Sequence, residues 1–153
     1  NSVIAYKDSE SRQDLFDQGM ALVDLYLKEP PPERIVAVEQ PMMAPVKTSR
    51  GEYLETPLLA VADLIVAADD GLVVREFKTS ARAYASGEAA ASLQPTCYVH
   101  AVEEAYGEPT TVEYVVLVKT KVPKLQRLDA TRSPEELGRL GDIIETIERA
   151  VQA

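Results

Sequence analysis

The longest apolar region of the chain, Pro57 to Ala68, is interrupted by a single carboxylate, Asp63. The sequence Asp69-Asp70-Gly71 follows it and predicts a tight hairpin turn, because Asp and Gly tolerate positive φ. A strand from Leu72 to Thr79 is predicted after this turn. An unpaired charge inside a strand costs several kcal/mol. Asp63 therefore needs a salt bridge, a strand-end cap to neighbouring amides, or a metal ion.

The rest of the chain predicts three helices and further strands around this hairpin. Apolar residues spaced three and four apart indicate helices, and runs rich in Val and Ile indicate strands. Ser133-Pro134-Glu135-Glu136 is a capping box, which predicts the start of the last helix. The predicted order is helix 8–28, strands 34–46, 53–68 and 72–79, helix from about 95 to 106, strands 111–120 and 124–130, and helix from 134 to about 151. This order predicts an α+β, three-layer fold, in which helices flank one mixed sheet that contains an antiparallel meander.

Length and cysteine usage indicate one domain in a reducing compartment. The 153 residues allow a single core, so we expect one domain over residues 1–153. The lone Cys97 cannot form an internal disulfide, and one thiolate cannot hold an iron–sulfur cluster, so we expect a cytoplasmic protein without such a cluster. No run approaches about eighteen apolar residues, which predicts no membrane span. Because the chain begins at Asn1 without an initiator Met, we expect truncation at the N-terminus; truncation at the C-terminus stays open.

The overall charge argues against nucleic-acid binding, but the charge is unevenly distributed. The 16 Lys and Arg residues against 25 Asp and Glu give a net charge of −9, which repels nucleic acid unless basic residues gather or metals intervene. Between Leu117 and Leu128 the chain has no acid and four bases, which are Lys119, Lys121, Lys124 and Arg127. A solvated strand edge is the commonest meaning of such a strip. The alternative is a weak, metal-dependent and salt-sensitive contact with DNA, to which Arg75, Lys78 and Arg82 add positive charge.

Two residues of the strand that follows the hairpin turn could share a site with Asp63. Glu76 and Lys78 lie two apart on a strand, so they project from the same face. With Asp70 and Gly71 as the turn residues, Lys78 would face Asp63 and Glu76 would face Ile65, which makes the two carboxylates diagonal neighbours. Two close carboxylates favour a divalent cation, and the ammonium suits an anionic substrate such as a phosphate. A cross-strand ion pair on a solvated face is the alternative.

Taken together, these residues resemble a known family. The set is Asp63, a hairpin, Glu76-Phe77-Lys78-Thr79, and then Gln94 and Tyr98 four residues apart on the next helix. This set resembles the PD-(D/E)XK nuclease superfamily, and within it the RecB-like exonuclease branch. The resemblance implies a restriction-endonuclease-like core.

The resemblance also implies a role for each matching residue. Asp63, Glu76 and the backbone carbonyl of Phe77 would bind Mg²⁺ or Mn²⁺, and Glu39 is a further candidate ligand, for which an exposed strand glutamate is the alternative. Lys78 would orient the attacking water and stabilise charge on the phosphate. The implied catalytic residues are Asp63, Glu76, Lys78, Gln94 and Tyr98, and the implied substrate contacts are Lys78, Arg82, Gln94 and Tyr98.

Two functions follow as hypotheses. The first is a metal-dependent DNA nuclease, an exonuclease by family likeness, that acts on single strands or duplex ends in recombination, repair or phage DNA processing. A helicase, a recombinase or a phage protein would be its partner, and we expect no membrane association. The second is a catalytically inactive nuclease-like domain that binds nucleic acid or serves assembly. An unrelated α+β domain with a surface Glu-x-Lys pair is a third interpretation.

Overall fold

The computed structural model describes residues 11–152, which form five strands and four helices. In chain order the elements are α1 (Arg12–Tyr26), β1 (Ile35–Ala44), β2 (Leu58–Ala68), β3 (Gly71–Ser80), α2 (Glu88–Ala91), α3 (Gln94–Tyr106), β4 (Thr110–Val118), β5 (Lys124–Ala130) and α4 (Pro134–Gln152). The predicted start of the first helix at Asp8 lies outside the described residues. Among the described helices, none combines the length and apolar character that a bilayer-spanning segment requires.

One mixed sheet forms the centre of the fold. Its strand order is β1-β2-β3-β4-β5, in which only β3 and β4 run parallel. The first three strands therefore form the predicted antiparallel meander. The crossover from β3 to β4 carries α2 and α3, as a parallel connection requires.

Helices cover both faces of this sheet. α3 packs against β1, β2 and β4, and α4 packs against α3. α1 lies on the opposite face against β4 and β5, where the Tyr26 ring meets the Phe77 ring edge-on at 5.2 Å between centroids. The predicted mixed sheet flanked by helices is therefore confirmed.

Local sequence signals explain where several elements begin and end. Ser133 and Glu136 form the predicted capping box, with reciprocal hydrogen bonds of 2.8 and 3.3 Å, ahead of α4. Pro95 lies in the first turn of α3, where a missing amide hydrogen costs nothing. Gly107 ends α3 in the left-handed conformation, at φ 71.

The predicted register of the β2–β3 hairpin is wrong. The turn residues are Asp69 and Asp70, and Ala68 pairs with Gly71. Gly71 instead begins β3 at φ 141, where a side chain would collide with the carbonyl of Pro109. The glycine therefore serves a close approach between two segments rather than the turn itself.

The second strand is also shorter than predicted. It starts at Leu58 rather than at Tyr53, which forms an isolated bridge with Lys47. The polar segment between β1 and β2 is thus a separate loop with its own pairing.

Close packing of α4 on the β1–β2 loop predicts opposite effects for two glycines of this helix. A Cβ at Gly141 would collide with the carbonyl group of Lys47, whereas a Cβ at Gly138 would meet nothing within 4 Å. We expect Gly141→Ala to lower the free energy of unfolding by about 1–3 kcal/mol, as overpacking does. We expect Gly138→Ala to raise it by about 0.5–1 kcal/mol through helix propensity. Urea unfolding followed by circular dichroism measures both; equal effects would contradict the packing.

Candidate active site

The predicted site residues meet where β2 separates from β3. The β2–β3 pairing runs from Ala68 and Gly71 to Leu64 and Arg75, and continuing it by one pair places Asp63 opposite Glu76. At this point the backbone pairing of β2 with β3 ends, and the Asp63 carboxylate accepts a hydrogen bond of 2.9 Å from the Phe77 amide. This is the strand-end cap that the sequence left open as one alternative.

Glu76 is the buried centre of the site. It is only 5% exposed, and both of its carboxylate oxygens are hydrogen-bonded. Lys78 Nζ donates to Oε1 at 2.6 Å, Gln94 Nε2 donates to the same oxygen at 2.8 Å, and the Tyr98 hydroxyl lies 2.8 Å from Oε2. The Glu-x-Lys pair is therefore not a surface ion pair on a solvated face.

α3 supplies two of these donors because of its helical period. Gln94 and Tyr98 are four residues apart and therefore share one face of the helix. Gln94 Nε2 also lies 3.0 Å from the Tyr98 hydroxyl, so one amide contacts both the carboxylate and the phenol. The structure thus brings Asp63, Glu76, Lys78, Gln94 and Tyr98 together.

The charges of the site act on one another. Burial raises the pKa of Asp63, the Phe77 amide partly offsets this, and the negative charge of Glu76 raises the pKa further. Burial lowers the pKa of Lys78, but its hydrogen bond to Glu76 and that carboxylate's charge outweigh burial and leave the pKa raised. Burial together with the Glu76 contact raises the pKa of Tyr98. At neutral pH Lys78 is therefore a cation and Tyr98 a neutral phenol.

Two predicted residues stand apart from this cluster. The guanidinium of Arg82, in the loop after β3, forms an exposed ion pair with Glu88 at 3.0 Å. Glu39 is exposed, and its neighbours Val38 and Gln40 pair with Leu64 and Ala62, so the register places it across from Asp63. Its φ of 47 is uncommon for a residue other than glycine and marks local backbone strain.

The oxygen donors of the site fit a hard divalent cation. Asp63 and Glu76 supply two carboxylates, and the Phe77 carbonyl directly follows Glu76 in the chain. Mg²⁺ prefers such oxygen ligands and keeps several waters, so it needs only one or two carboxylates. Within residues 11–152, no group of three or more His, Cys, Asp or Glu side chains could hold a metal ion. A cation here would rely on two carboxylates, the carbonyl and water.

A second set of residues supports the site, and the sequence did not indicate it. The hydroxyl of Tyr114, on β4, donates to Gln94 Oε1 at 3.0 Å, and its ring lies 5.6 Å from Lys78 Nζ. Arg132, whose side chain is 2% exposed, donates to the carbonyl of Ser92 at 2.7 Å and to Thr96 Oγ1 at 2.7 Å. These contacts join residues far apart in the chain, so no local periodicity reveals them.

A large groove lies elsewhere on the protein. It measures about 950 Å³ and is lined by the proline segment 30–32, the β2–β3 turn, Arg75, Glu113 and Arg127. Glu113 Oε2 accepts from Arg75 Nε at 2.7 Å and from Arg127 at 2.8 Å. Arg75 therefore belongs to this groove and does not add positive charge to the predicted site. Because the charged groups of this groove already pair with one another, the cluster around Glu76 is the stronger candidate for the active site.

Comparisons with known proteins agree on the fold. A model of the PD-(D/E)XK nuclease superfamily matches residues 9–152. The crystal structure of a candidate exonuclease from Eubacterium rectale superposes with a TM-score of 0.56 at 12% identity, covering 96% of this chain and 56% of that chain. This likeness confirms the restriction-endonuclease-like α+β fold, although this chain spans little more than half of that protein.

Other comparisons add little. The structure of SSO0001 gives a TM-score of 0.46 at 13% identity, covering 90% of this chain and 62% of that chain. No curated protein matches the chain. The RecB-like branch therefore stays a prediction.

The burial of Glu76 predicts a cost for removing one donor. Tyr98→Phe keeps the ring and removes the hydroxyl that lies 2.8 Å from Glu76 Oε2. We expect a loss of about 1–3 kcal/mol in the free energy of unfolding, the usual cost of a buried group that loses its partner. Tyr106→Phe is the matched control, because Tyr106 is 38% exposed and lies at the end of the same helix. The control should change stability by less than about 0.5 kcal/mol.

The raised pKa of Asp63 predicts that its charge destabilises the metal-free protein. An acid whose folded-state pKa is raised stabilises the protein below its ordinary pKa and loses that contribution as pH rises through the folded value. We expect Asp63→Asn to be more stable than the wild type at pH 7 in EDTA, by less than about 1 kcal/mol because solvent screens the half-buried group. The difference should vanish toward pH 4. Urea unfolding across this pH series checks it, and a variant less stable at pH 7 would contradict it.

Proposed function

The chain belongs to the PD-(D/E)XK nuclease superfamily, and we propose on that premise that it is a divalent-metal-dependent deoxyribonuclease. The reaction is hydrolysis of phosphodiester bonds, and the family likeness favours an exonuclease of the RecB-like type. The observation that carries the proposal is the convergence of Asp63, Glu76 and Lys78 at one point of the sheet. This is the set expected for cutting a phosphodiester.

Asp63 and Glu76 are the proposed metal ligands, together with the Phe77 carbonyl. The raised pKa of Asp63 supports this role: burial raises it most, the charge of Glu76 raises it further, and a bound divalent cation would offset both effects. Bound Mg²⁺ or Mn²⁺ would supply an activated water and neutralise charge on the phosphate. Glu39 is a proposed additional ligand, supported by its position across from Asp63.

Lys78 is the proposed electrostatic catalyst. Its contact with Glu76 keeps it protonated, so it acts as a cation and hydrogen-bond donor rather than as a base. A fixed ammonium beside the reacting phosphate stabilises the negative charge that develops there. Its side chain is 28% exposed, which leaves the ammonium within reach of a substrate.

Gln94 and Tyr98 are proposed to hold the Glu76 carboxylate in place and to contact the substrate backbone. Their direct hydrogen bonds to Glu76 support the first role. Arg82 is a proposed substrate contact as well. Its ion pair with Glu88 would have to open for that role, which makes its contribution the smallest of the set.

The biological setting is proposed from the resemblance. We place the protein in the cytoplasm, as one nuclease domain that acts on DNA in recombination, repair or phage DNA processing. A helicase, recombinase or phage protein is the proposed partner. The single Cys97 supports a reducing compartment.

A catalytically inactive binding or assembly module is the second candidate function. One observation favours it: both oxygens of Glu76 already have protein donors. A calorimetric titration with Mn²⁺ separates the candidates. The nuclease should bind Mn²⁺ and lose this binding in Asp63→Asn, whereas an inactive module should show no such binding.

Removal of the Lys78 ammonium tests the nuclease. Lys78→Ala is expected to lower the rate of Mg²⁺- or Mn²⁺-dependent cleavage of single- and double-stranded DNA by about 10²–10³-fold, the usual effect of removing one donor to a developing charge. The measurement is release of labelled nucleotides with and without EDTA. Lys28→Ala removes an equal charge from an exposed residue after α1 and is the matched control. Metal-dependent cleavage that survives in Lys78→Ala would overturn the assignment.

A further inference from the structure

Three lysines lie in and beside the loop that follows β4, at the same edge of the sheet as the candidate site. β3 and β4 are parallel, with Lys78 paired to Val116 and Ser80 to Val118, so both strands end at this edge. Lys119 continues directly from β4, and its amide donates to the Ser80 carbonyl at 2.7 Å. Lys121 lies in the loop before β5, and Lys124 is the first residue of β5. The three are called the loop lysines below.

The loop lysines are exposed, and none of them forms an ion pair among residues 11–152. Most basic residues of the described chain are bound to acids. The other described basic residues without an ion pair are scattered, and they are Arg12, Lys28, Lys47 and Arg139. The loop lysines are thus the place where uncompensated positive charge accumulates on a chain of net charge −9.

The loop is braced rather than loose. Thr120 Oγ1 donates to the Val122 carbonyl at 2.7 Å, and Pro123 restricts the chain before β5. Lys124 pairs with Val118, which pairs with Ser80. Paired residues share a face, so Lys124 lies on the sheet face that carries Ser80 and Lys78. Two strand spacings across and two residues along separate Lys124 from Lys78, which is about 12 Å between backbones.

That separation suits a polyanion. Each strand of a DNA duplex carries one phosphate per about 3.4 Å of its axis, so about 12 Å corresponds to a few phosphates. On the other side of Lys78 the sheet presents Asp63 and, beyond it, Glu39, which repel a phosphate backbone unless a cation intervenes. Within residues 11–152, uncompensated positive charge beside the site is therefore concentrated on the β4–β5 side.

We propose that the loop lysines form the backbone-binding track for the nucleic-acid strand, which leaves the candidate site toward β5. This inference rests on the proposed nuclease function and adds the direction in which the uncleaved strand lies. Lysine contacts to phosphate carry no base specificity, so the track holds the strand independently of sequence.

The test compares two triple variants of equal charge. Lys119→Gln/Lys121→Gln/Lys124→Gln removes the track, and Arg12→Gln/Lys28→Gln/Arg139→Gln removes three unpaired charges elsewhere. Fluorescence anisotropy with a labelled single-stranded oligonucleotide, in EDTA at several salt concentrations, measures binding without cleavage. Each lost phosphate contact on a single strand lowers the slope of log K against log salt by about 0.7, so the track variant should lose about 2 in slope. Its affinity at about 0.1 M salt should fall on the order of 100-fold.

Hydrolysis of a small diester, bis(p-nitrophenyl) phosphate, separates this inference from the proposed function. A diester with one phosphate cannot reach the loop, so the track variant should cleave it at the wild-type rate while its KM for a long oligonucleotide rises. If no substrate is cleaved by any form, the nuclease function fails, but the anisotropy result still decides the track. Equal loss of binding in both triple variants, or unchanged binding in the track variant, would overturn the track.

Discussion

A buried carboxylate, Glu76, determines how the elements around the site must be placed. A carboxylate that is 5% exposed is tolerated only with several donors, since an unpaired buried charge costs several kcal/mol. The strand itself supplies one donor, Lys78, because alternate residues share a face. The other two, Gln94 and Tyr98, come from α3, so the N-terminal part of this helix has to lie within side-chain reach of Glu76. The position of α3 and the burial of the Glu76 carboxylate therefore depend on each other.

The donors to Glu76 are themselves held by a second layer. Gln94 can present its amide nitrogen to the carboxylate because Tyr114 donates to its oxygen, which fixes the orientation of the amide. The segment just before α3 is held by Arg132, a guanidinium that is 2% exposed and is satisfied largely by carbonyl groups of this segment, including that of Ser92. Loss of one of these acceptors would leave an N–H group of a buried cation without its partner. The connection between β5 and α4 is thereby tied to the site, although it contributes no group to the chemistry.

Local periodicity explains how much of this could be predicted from the sequence. Alternation along a strand placed Glu76 and Lys78 on one face, and a four-residue spacing placed Gln94 and Tyr98 on one side of a helix; neither inference needs the tertiary structure. The predicted hairpin register was wrong because Gly71 is required by the close approach of the Pro109 carbonyl rather than by the turn. A contact of that kind has no local sequence signature. The supporting layer was missed for the same reason: its members are joined by pairings between segments far apart in the chain.

The distribution of charge reconciles an acidic chain with a polyanionic substrate. On the face away from the site, Arg75 and Arg127 share Glu113, so positive charge there is neutralised within the protein. At the site the excess is negative, because the two carboxylates of Asp63 and Glu76 face one ammonium, that of Lys78. Burial raises the pKa of Asp63, and the neighbouring charge of Glu76 raises it further. Beside the site, the loop lysines are left without partners within residues 11–152. A net charge of −9 therefore describes the chain but not the surface that a phosphate backbone would meet, because a divalent cation would offset the acids at one end and unpaired ammonium groups line the other.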